Sequence, residues 1–345
     1  MPVRTRTTRD SRTARKTGTT RRHRARSLRG RVAAALTGGA VALGLGAFGV
    51  ASAADAAAPP TATSAASATE QASAEGREGP PQTSFAGATA YALLQPTAVP
   101  PGANDWDCRP SAEHPNPVVL VHGTFENRYM NWAGLSPKLK DEGYCVYALN
   151  YGGKQGSLTQ GTGDIAASAA QLSTFVDRVR DRTGAAEVDL VGHSQGGMMP
   201  RHYLKNLGGA NKVGKLVALT PTNHGTSLSG FGTLASFVPG AEKLVGAACP
   251  ACHQQMTDSD FIKALNEGGE TVPGVDYTVL ATRTDWVVTP YTSSYLAPAD
   301  NVSQSRLQDH CPLNLASHLG ISYDRTATRI VLNALDPDHT RKPGC

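Results

Sequence analysis

Negative charge is almost missing from the start of this 345-residue chain: Asp10 is the only acidic residue before Ala54, while twelve Lys and Arg fall between Arg4 and Arg31. The excess of basic over acidic residues, 33 against 28, therefore comes from one short segment. Beyond residue 53, 21 basic and 27 acidic residues remain, a net charge of about −6 with histidine neutral. That balance excludes the electrostatic footprint of a nucleic-acid binder. No acidic loop and no His/Cys cluster has the spacing of calcium or zinc ligands, so neither a metal nor another cofactor is expected. Internal repeats are lacking too, which excludes a solenoid or propeller.

Large apolar side chains are scarce between Ala54 and Ser84, a stretch of Ala, Ser, Thr, Pro and Glu that cannot bury enough surface to offset its ordering entropy. Residues 54–84 are expected to form a flexible linker or pro-region. Before them, the basic segment runs into the uncharged apolar Val32 to Val50 and then Ala51-Ser52-Ala53, the layout of an export signal over residues 1–53. A membrane-spanning helix is the alternative, since nineteen residues just suffice to cross a bilayer. Arg21-Arg22 is a twin-arginine pair, but Arg24 and Ala25 stand where a stronger signal has apolar residues, leaving the export route open. Residues 85–345 are expected to form a single folded domain, a secreted monomer.

All six cysteines, Cys108, Cys145, Cys249, Cys252, Cys311 and Cys345, fall in that domain, and an even count in an exported chain points to disulfides. Pairing of nearest neighbours is expected, because each bridge then ties one local region. For Cys249-Pro-Ala-Cys252 the rival is a redox motif or half a metal site, but no second C-x-x-C accompanies it.

Strand-like and helix-like segments alternate, which predicts an α/β fold, a mostly parallel sheet with helices on both faces. Strands are expected at Val118 to Val121, Tyr144 to Leu149, Leu216 to Leu219 and Tyr277 to Ala281. Ser136-Pro137 should open a helix, with serine as cap and Gly143 as stop. Asp164 to Arg182 carries Ile165, Ala169, Leu172, Val176 and Val179 on one stripe, with Gly184 beyond. A terminal helix is expected from Ala327 to Leu335. Pro200 breaks a local rule, for it should kink or shorten the helix it falls in.

That helix follows Gly192-His193-Ser194-Gln195-Gly196, a G-x-S-x-G pattern directly after the apolar run Val188 to Val191. At a strand-to-helix turn this pattern lifts a serine hydroxyl clear of the sheet, and the flanking glycines avoid collision with neighbouring backbone. Ser194 is thus the candidate nucleophile, which needs a base, an orienter and a place for an oxyanion. Asp285 stands three residues past the strand ending at Thr282, at the sheet edge where ligands bind; Asp276 lies at the wrong end and Asp300 is the closer competitor. His318, 33 residues after Asp285 in Ala316-Ser317-His318-Leu319-Gly320, is the candidate base, with His310 as competitor. His339 falls in a polar tail, and His122 and His193 flank motif glycines in structural positions. The oxyanion donors expected are the peptide N–H groups of Gln195, from the turn itself, and Thr124, after His122-Gly123; Phe125 is the fallback.

Taken in order, VVLVHGTFEN, VDLVGHSQGGMMPRHYL, TPTNHGT, TRTDWVVTP and ASHLG resemble the secreted bacterial triacylglycerol lipases and esterases of the α/β-hydrolase superfamily, particularly the class 2 lipase group, over roughly Asn116 to Ala334. The resemblance implies Ser194 as nucleophile, Asp285 as acid, His318 as base, Thr124 and Gln195 as oxyanion donors, and a tolerated Pro200. It implies a lipid or small ester as substrate, with transient contact at lipid interfaces. Glu126-Asn127 departs from the small residues many lipases have there, which touches on acyl-chain preference. Within an insertion at about 225–275, Gly225 to Ala248 is rich in Gly, Ser, Phe, Leu and Val with few charges; it is expected to form either a lid or acyl-chain wall, or a packed extra helix pair.

Overall fold

The computed structural model describes residues 76–244 and 248–345; the export signal expected over 1–53 and most of the linker expected over 54–84 lie outside the described residues. Six strands, β1 (Val118–Val121), β2 (Val146–Ala148), β3 (Val188–His193), β4 (Val213–Leu219), β5 (Asp276–Ala281) and β6 (Val302–Arg306), form one sheet in the order β2-β1-β3-β4-β5-β6, each neighbouring pair parallel. The chain leaves β1 for β2 on one side and returns to β3 on the other. The sheet's topological switch therefore falls between β1 and β3, where ligands settle beyond the carboxyl ends of strands.

Helix α1 (Phe85–Leu94) precedes the sheet. Parallel neighbours require crossovers: α2 (Arg128–Trp132) and α3 (Ser136–Asp141) lie between β1 and β2, α4 (Ile165–Thr183) between β2 and β3, and α5 (Gln195–Asn206) between β3 and β4. Between β4 and β5 lie α6 (Leu228–Ser236), α7 (Pro250–Gln254) and α8 (Asp260–Asn266), and between β5 and β6 a 3-10 turn (Tyr291–Ser294), while α9 (Leu307–His310) and α10 (Arg325–Leu335) follow the sheet. Alternation along the strands divides the core in two. Val119, Val121, Val188 and Leu190 pack with Leu172 of α4 and Met199 of α5. Val118, Leu120 and Val191 pack with Leu139 of α3 and Val331 of α10. A strand covered on both faces reads as an apolar run, which is why β1, VVLV, stands out in the sequence, and β3 does so through Val188, Leu190 and Val191 despite Asp189.

The stripe on α4 is buried as expected, with Asp164 capping Ala167 N–H at 2.8 Å. Ser136 is not a cap: it is the first residue of α3, and its hydroxyl donates to the Pro101 carbonyl instead. Pro200 neither ends nor divides α5, which continues through it to Asn206. The edge strand β6 escapes a hydrophobicity reading because its residues, VSQSR, are polar and partly exposed. The packed chain also takes in residues before Phe85: Gly79 N–H bonds Val99 O at 2.9 Å, and Pro80 O accepts from the Tyr129 hydroxyl at 2.6 Å. These are backbone contacts, and apolar composition carries no sign of them.

Disulfides join Cys108 to Cys145, Cys249 to Cys252 and Cys311 to Cys345. Cys249 sits at a helix start that the sequence did not announce, capping α7 by accepting from Cys252 N–H at 3.1 Å. Among the described residues no three His, Cys, Asp or Glu cluster to hold a metal ion, and no helix is long and apolar enough to cross a membrane.

Asp189 of β3 is buried beside Lys215 (3.7 Å) and Asn116 (3.2 Å), and burial pushes its carboxyl up to about 6 despite both partners. The unfolded chain releases this proton near pH 4, whereas the folded chain keeps it until about pH 6. Stability from this group therefore falls as the pH rises between those values and stays lower above them. Asp189→Asn should remove that fall and raise stability at pH 7 by about 2 to 3 kcal/mol, measured by denaturant unfolding at pH 4 and 7. Parallel curves for the two proteins would refute it.

Candidate active site

Three loops at the carboxyl ends of β1, β3 and β5 meet at the switch point. The β3–α5 turn is the tightest. Ser194 holds φ 54° and ψ −123°, a conformation a side chain disfavours, and a hydrogen bond from its N–H to Leu219 O (2.9 Å) fixes it. A Cβ on Gly192 would stand 1.9 Å from Gly196 O, and one on Gly196 would stand 2.1 Å from Val121 O, so both glycines are required sterically. The serine is fully buried, and its Oγ has no hydrogen-bond partner among the described residues.

Beyond β5, Asp285 is oriented by its own loop, since Oδ1 accepts from Val287 N–H (2.8 Å) and Val288 N–H (2.9 Å). Its Oδ2 is then left for His318 Nδ1, at 2.8 Å. His318 is fully buried, and its Nε2 has no partner. The competitors lie elsewhere. His310 is exposed against Ser305, His339 is exposed against Asp336, and Asp276 and Asp300 are on the surface.

The β1 loop carries Thr124. The Gly123 carbonyl is bonded to His122 Nδ1 at 2.8 Å; because a trans peptide sets C=O and N–H on opposite sides, this bond fixes the direction of the Thr124 N–H. His122 can hold it because burial lowers its pKa to about 4, leaving the ring neutral with its proton on Nδ1. Phe125, the fallback donor, gives its N–H to Gln160 O at 3.0 Å. The peptide N–H groups of Thr124 and Gln195 have no acceptor among the described residues. The Gln195 side chain is anchored by Gly161 O (3.2 Å) and the Tyr151 hydroxyl (3.0 Å), and Thr124 Oγ1 accepts from Gln255 (2.9 Å).

Glu126 and His193 are brought in as well, fully buried 3.3 Å apart, while Asn127 caps α2 through Tyr129 and Met130 N–H. Glu126 Oε2 is engaged with His193 and Asn127 caps a helix, so the departure noticed in the sequence has a structural use, although Glu126 Oε1 is buried with no hydrogen-bond partner among the described residues. Gln255 and Tyr151 had no local signal, since they come from distant loops and act through bonds that no spacing encodes, whereas the Val287 and Val288 amides lie two and three residues beyond Asp285 in its own loop.

The class 2 lipase family, described as Lipase (class 2), matches residues 115–318. Triacylglycerol lipases of Pseudarthrobacter phenanthrenivorans and Burkholderia plantarii are each 38% identical over 92 residues, 25% of this chain. The chain spans only about a quarter of their lengths, 27% and 24%. Aspergillus fumigatus lipase B shares the fold at a TM-score of 0.55 and 21% identity, covering 71% of this chain and 57% of that one. The parallel sheet with its serine turn after β3 is an α/β-hydrolase fold. Since the family match runs from just before β1 to the histidine paired with Asp285, more than half of the sequence, this chain belongs to the class 2 lipases.

Proposed function

We propose that this protein is a secreted serine ester hydrolase that cleaves acylglycerol esters through an acyl-enzyme intermediate. The observation that carries the reading is the buried Asp285–His318 pair, fixed at Nδ1 and bare at Nε2, in a site with a strained serine whose hydroxyl is also bare. His318 Nε2 takes the Ser194 proton as Oγ attacks the ester carbonyl. The carbonyl oxygen becomes an oxyanion, met by the N–H groups of Thr124 and Gln195, each worth about 3 to 4 kcal/mol in such sites. Collapse breaks the ester bond, and the leaving alkoxide takes the proton from His318. Water then repeats the sequence on the acyl group, releasing a carboxylic acid and restoring Ser194. Asp285 keeps the histidine in the tautomer that both steps need.

The insertion serves as acyl-chain wall. Phe231, Leu234 and Val238 join the main core, and Phe237, half exposed at 51%, stacks on Trp286 at 4.9 Å beside Asp285. Three disulfides support an oxidising destination.

Hydrolysis of p-nitrophenyl esters from acetate to stearate, with tributyrin and triolein emulsions alongside, tests the substrate class. Turnover of triolein and the long-chain esters is expected. Activity confined to acetate and butyrate would make the protein a short-chain esterase instead, and preferential acyl transfer to an added alcohol would make it an acyltransferase.

A further inference from the structure

The site contains a buried carboxylate for which ester cleavage has no use. Glu126 is two residues past Thr124, and a Cβ on Gly123 would stand 3.1 Å both from Glu126 Oε1 and from Ser194 Cβ, which puts the carboxylate close to the nucleophile, on the other side of Gly123. A bare negative charge there would oppose the oxyanion. Glu126 Oε2 instead faces His193 Nδ1 at 3.3 Å and the Gly123 N–H at 3.4 Å. The other ring nitrogen of His193, Nε2, faces the backbone carbonyl of His318 at 2.8 Å.

Both ring nitrogens thus meet oxygen acceptors. A carbonyl has no proton to give, so Nε2 must donate. The proton between Nδ1 and the facing oxygen is assigned to the imidazole, whose pKa is raised in this setting. We propose that Glu126 and His193 are positioning residues, a buried carboxylate–imidazolium link that holds the oxyanion turn and the loop of His318 at one spacing while cancelling the charge of the carboxylate. This rests on the triad reading above. The link runs from the loop after β1, which carries Glu126 itself, through His193 to His318 O, so it touches the loops of two catalytic elements without touching substrate; the Gly123 N–H is shared, with its shorter bond going to Asn131 Oδ1 at 3.0 Å. Burial disfavours a charged His193, but the Glu126 carboxylate outweighs it and the pKa is raised. The other polar groups around the link are His318 backed by Asp285, the neutral His122, the hydroxyls of Tyr151 and Tyr323, and Arg128, whose guanidinium bonds the Thr97 and Ala98 carbonyls.

The test is p-nitrophenyl butyrate kinetics of Glu126→Ala, His193→Ala, the double variant and Glu126→Gln, beside Ser194→Ala. Each alanine variant should lose about 10- to 100-fold in kcat with KM within about twofold, since misplacement rather than binding is affected. The double variant should be no worse than the worse single, because one link is broken either way. Glu126→Gln should recover most of the activity, for an amide NH₂ in the place of Oε2 donates to a neutral His193 while the Gly123 N–H keeps its 3.0 Å bond to Asn131 Oδ1. Multiplying defects, or a Glu126→Gln as poor as Glu126→Ala, would overturn the proposal. Nitrogen-15 resonances of His193 in the wild-type protein give a readout independent of whether the alanine variants fold: two ring protons at pH 7, and one in Glu126→Gln. A single ring proton in the wild type overturns the link. Should Ser194→Ala stay active, the triad reading fails while the resonances still report on the link. An inactive Ser194→Ala beside alanine variants with unchanged kcat sinks the link alone.

Discussion

Replacing Ser194 by alanine is expected to lower kcat on every p-nitrophenyl ester by about 10⁴- to 10⁶-fold, leaving only the residual rate that oxyanion donors and binding provide. The fold should not suffer, because alanine keeps the Cβ that the turn already tolerates and removes a buried hydroxyl that has no partner. Ser194→Gly separates activity from strain. At φ 54° and ψ −123° the serine stores about 1 to 3 kcal/mol that glycine does not, so the glycine variant should be as inactive as alanine yet more stable by about 1 kcal/mol. Active-site labelling with a fluorophosphonate, together with thermal unfolding, checks both halves. A labelled Ser194→Ala protein would point to a different nucleophile.

The nucleophile turn and the strand before it were legible because local chemistry dictates them. β3 is buried on both faces and is apolar at Val188, Leu190 and Val191, with Asp189 and His193 as its buried polar exceptions, and the two glycines that Ser194 needs are fixed by contacts with the adjacent backbone. Asp285 and His318 were legible for a weaker reason, their order and their distance from strand ends. The structure pairs these two and leaves His310 and Asp300 at the surface. What the sequence could not disclose are groups whose importance lies in what they meet. Glu126 reads as a departure from the pattern and His193 as a motif neighbour; only the fold puts them 3.3 Å apart with the His318 carbonyl on the far side. Strand β6 was lost because a sheet edge needs no apolar residues, and the Ser136 cap was misread because the helix starts one residue earlier than that reading allows, with Leu135 at the cap position and Ser136 already inside.

Asp285→Asn should be nearly as damaging as loss of the serine, and the hydrogen bonds around Asp285 say why. Two peptide N–H groups, from Val287 and Val288, demand an acceptor at the Oδ1 position, so the asparagine carbonyl must take it. The amide NH₂ is then turned toward His318 Nδ1, at the place where the carboxylate oxygen stood 2.8 Å away. A donor facing Nδ1 obliges that nitrogen to accept, and the ring proton moves to Nε2, the atom that has to be bare to receive the proton of Ser194. The imidazole is locked in the wrong tautomer with its position unchanged. A loss of about 10⁴-fold in kcat follows, with KM and thermal stability close to wild type. Asp300→Asn, at the surface, is the matched control and should keep full activity. An Asp285→Asn enzyme within tenfold of wild type would mean that this carboxylate does not set the tautomer, and the orienting role would pass from β5 to another acid.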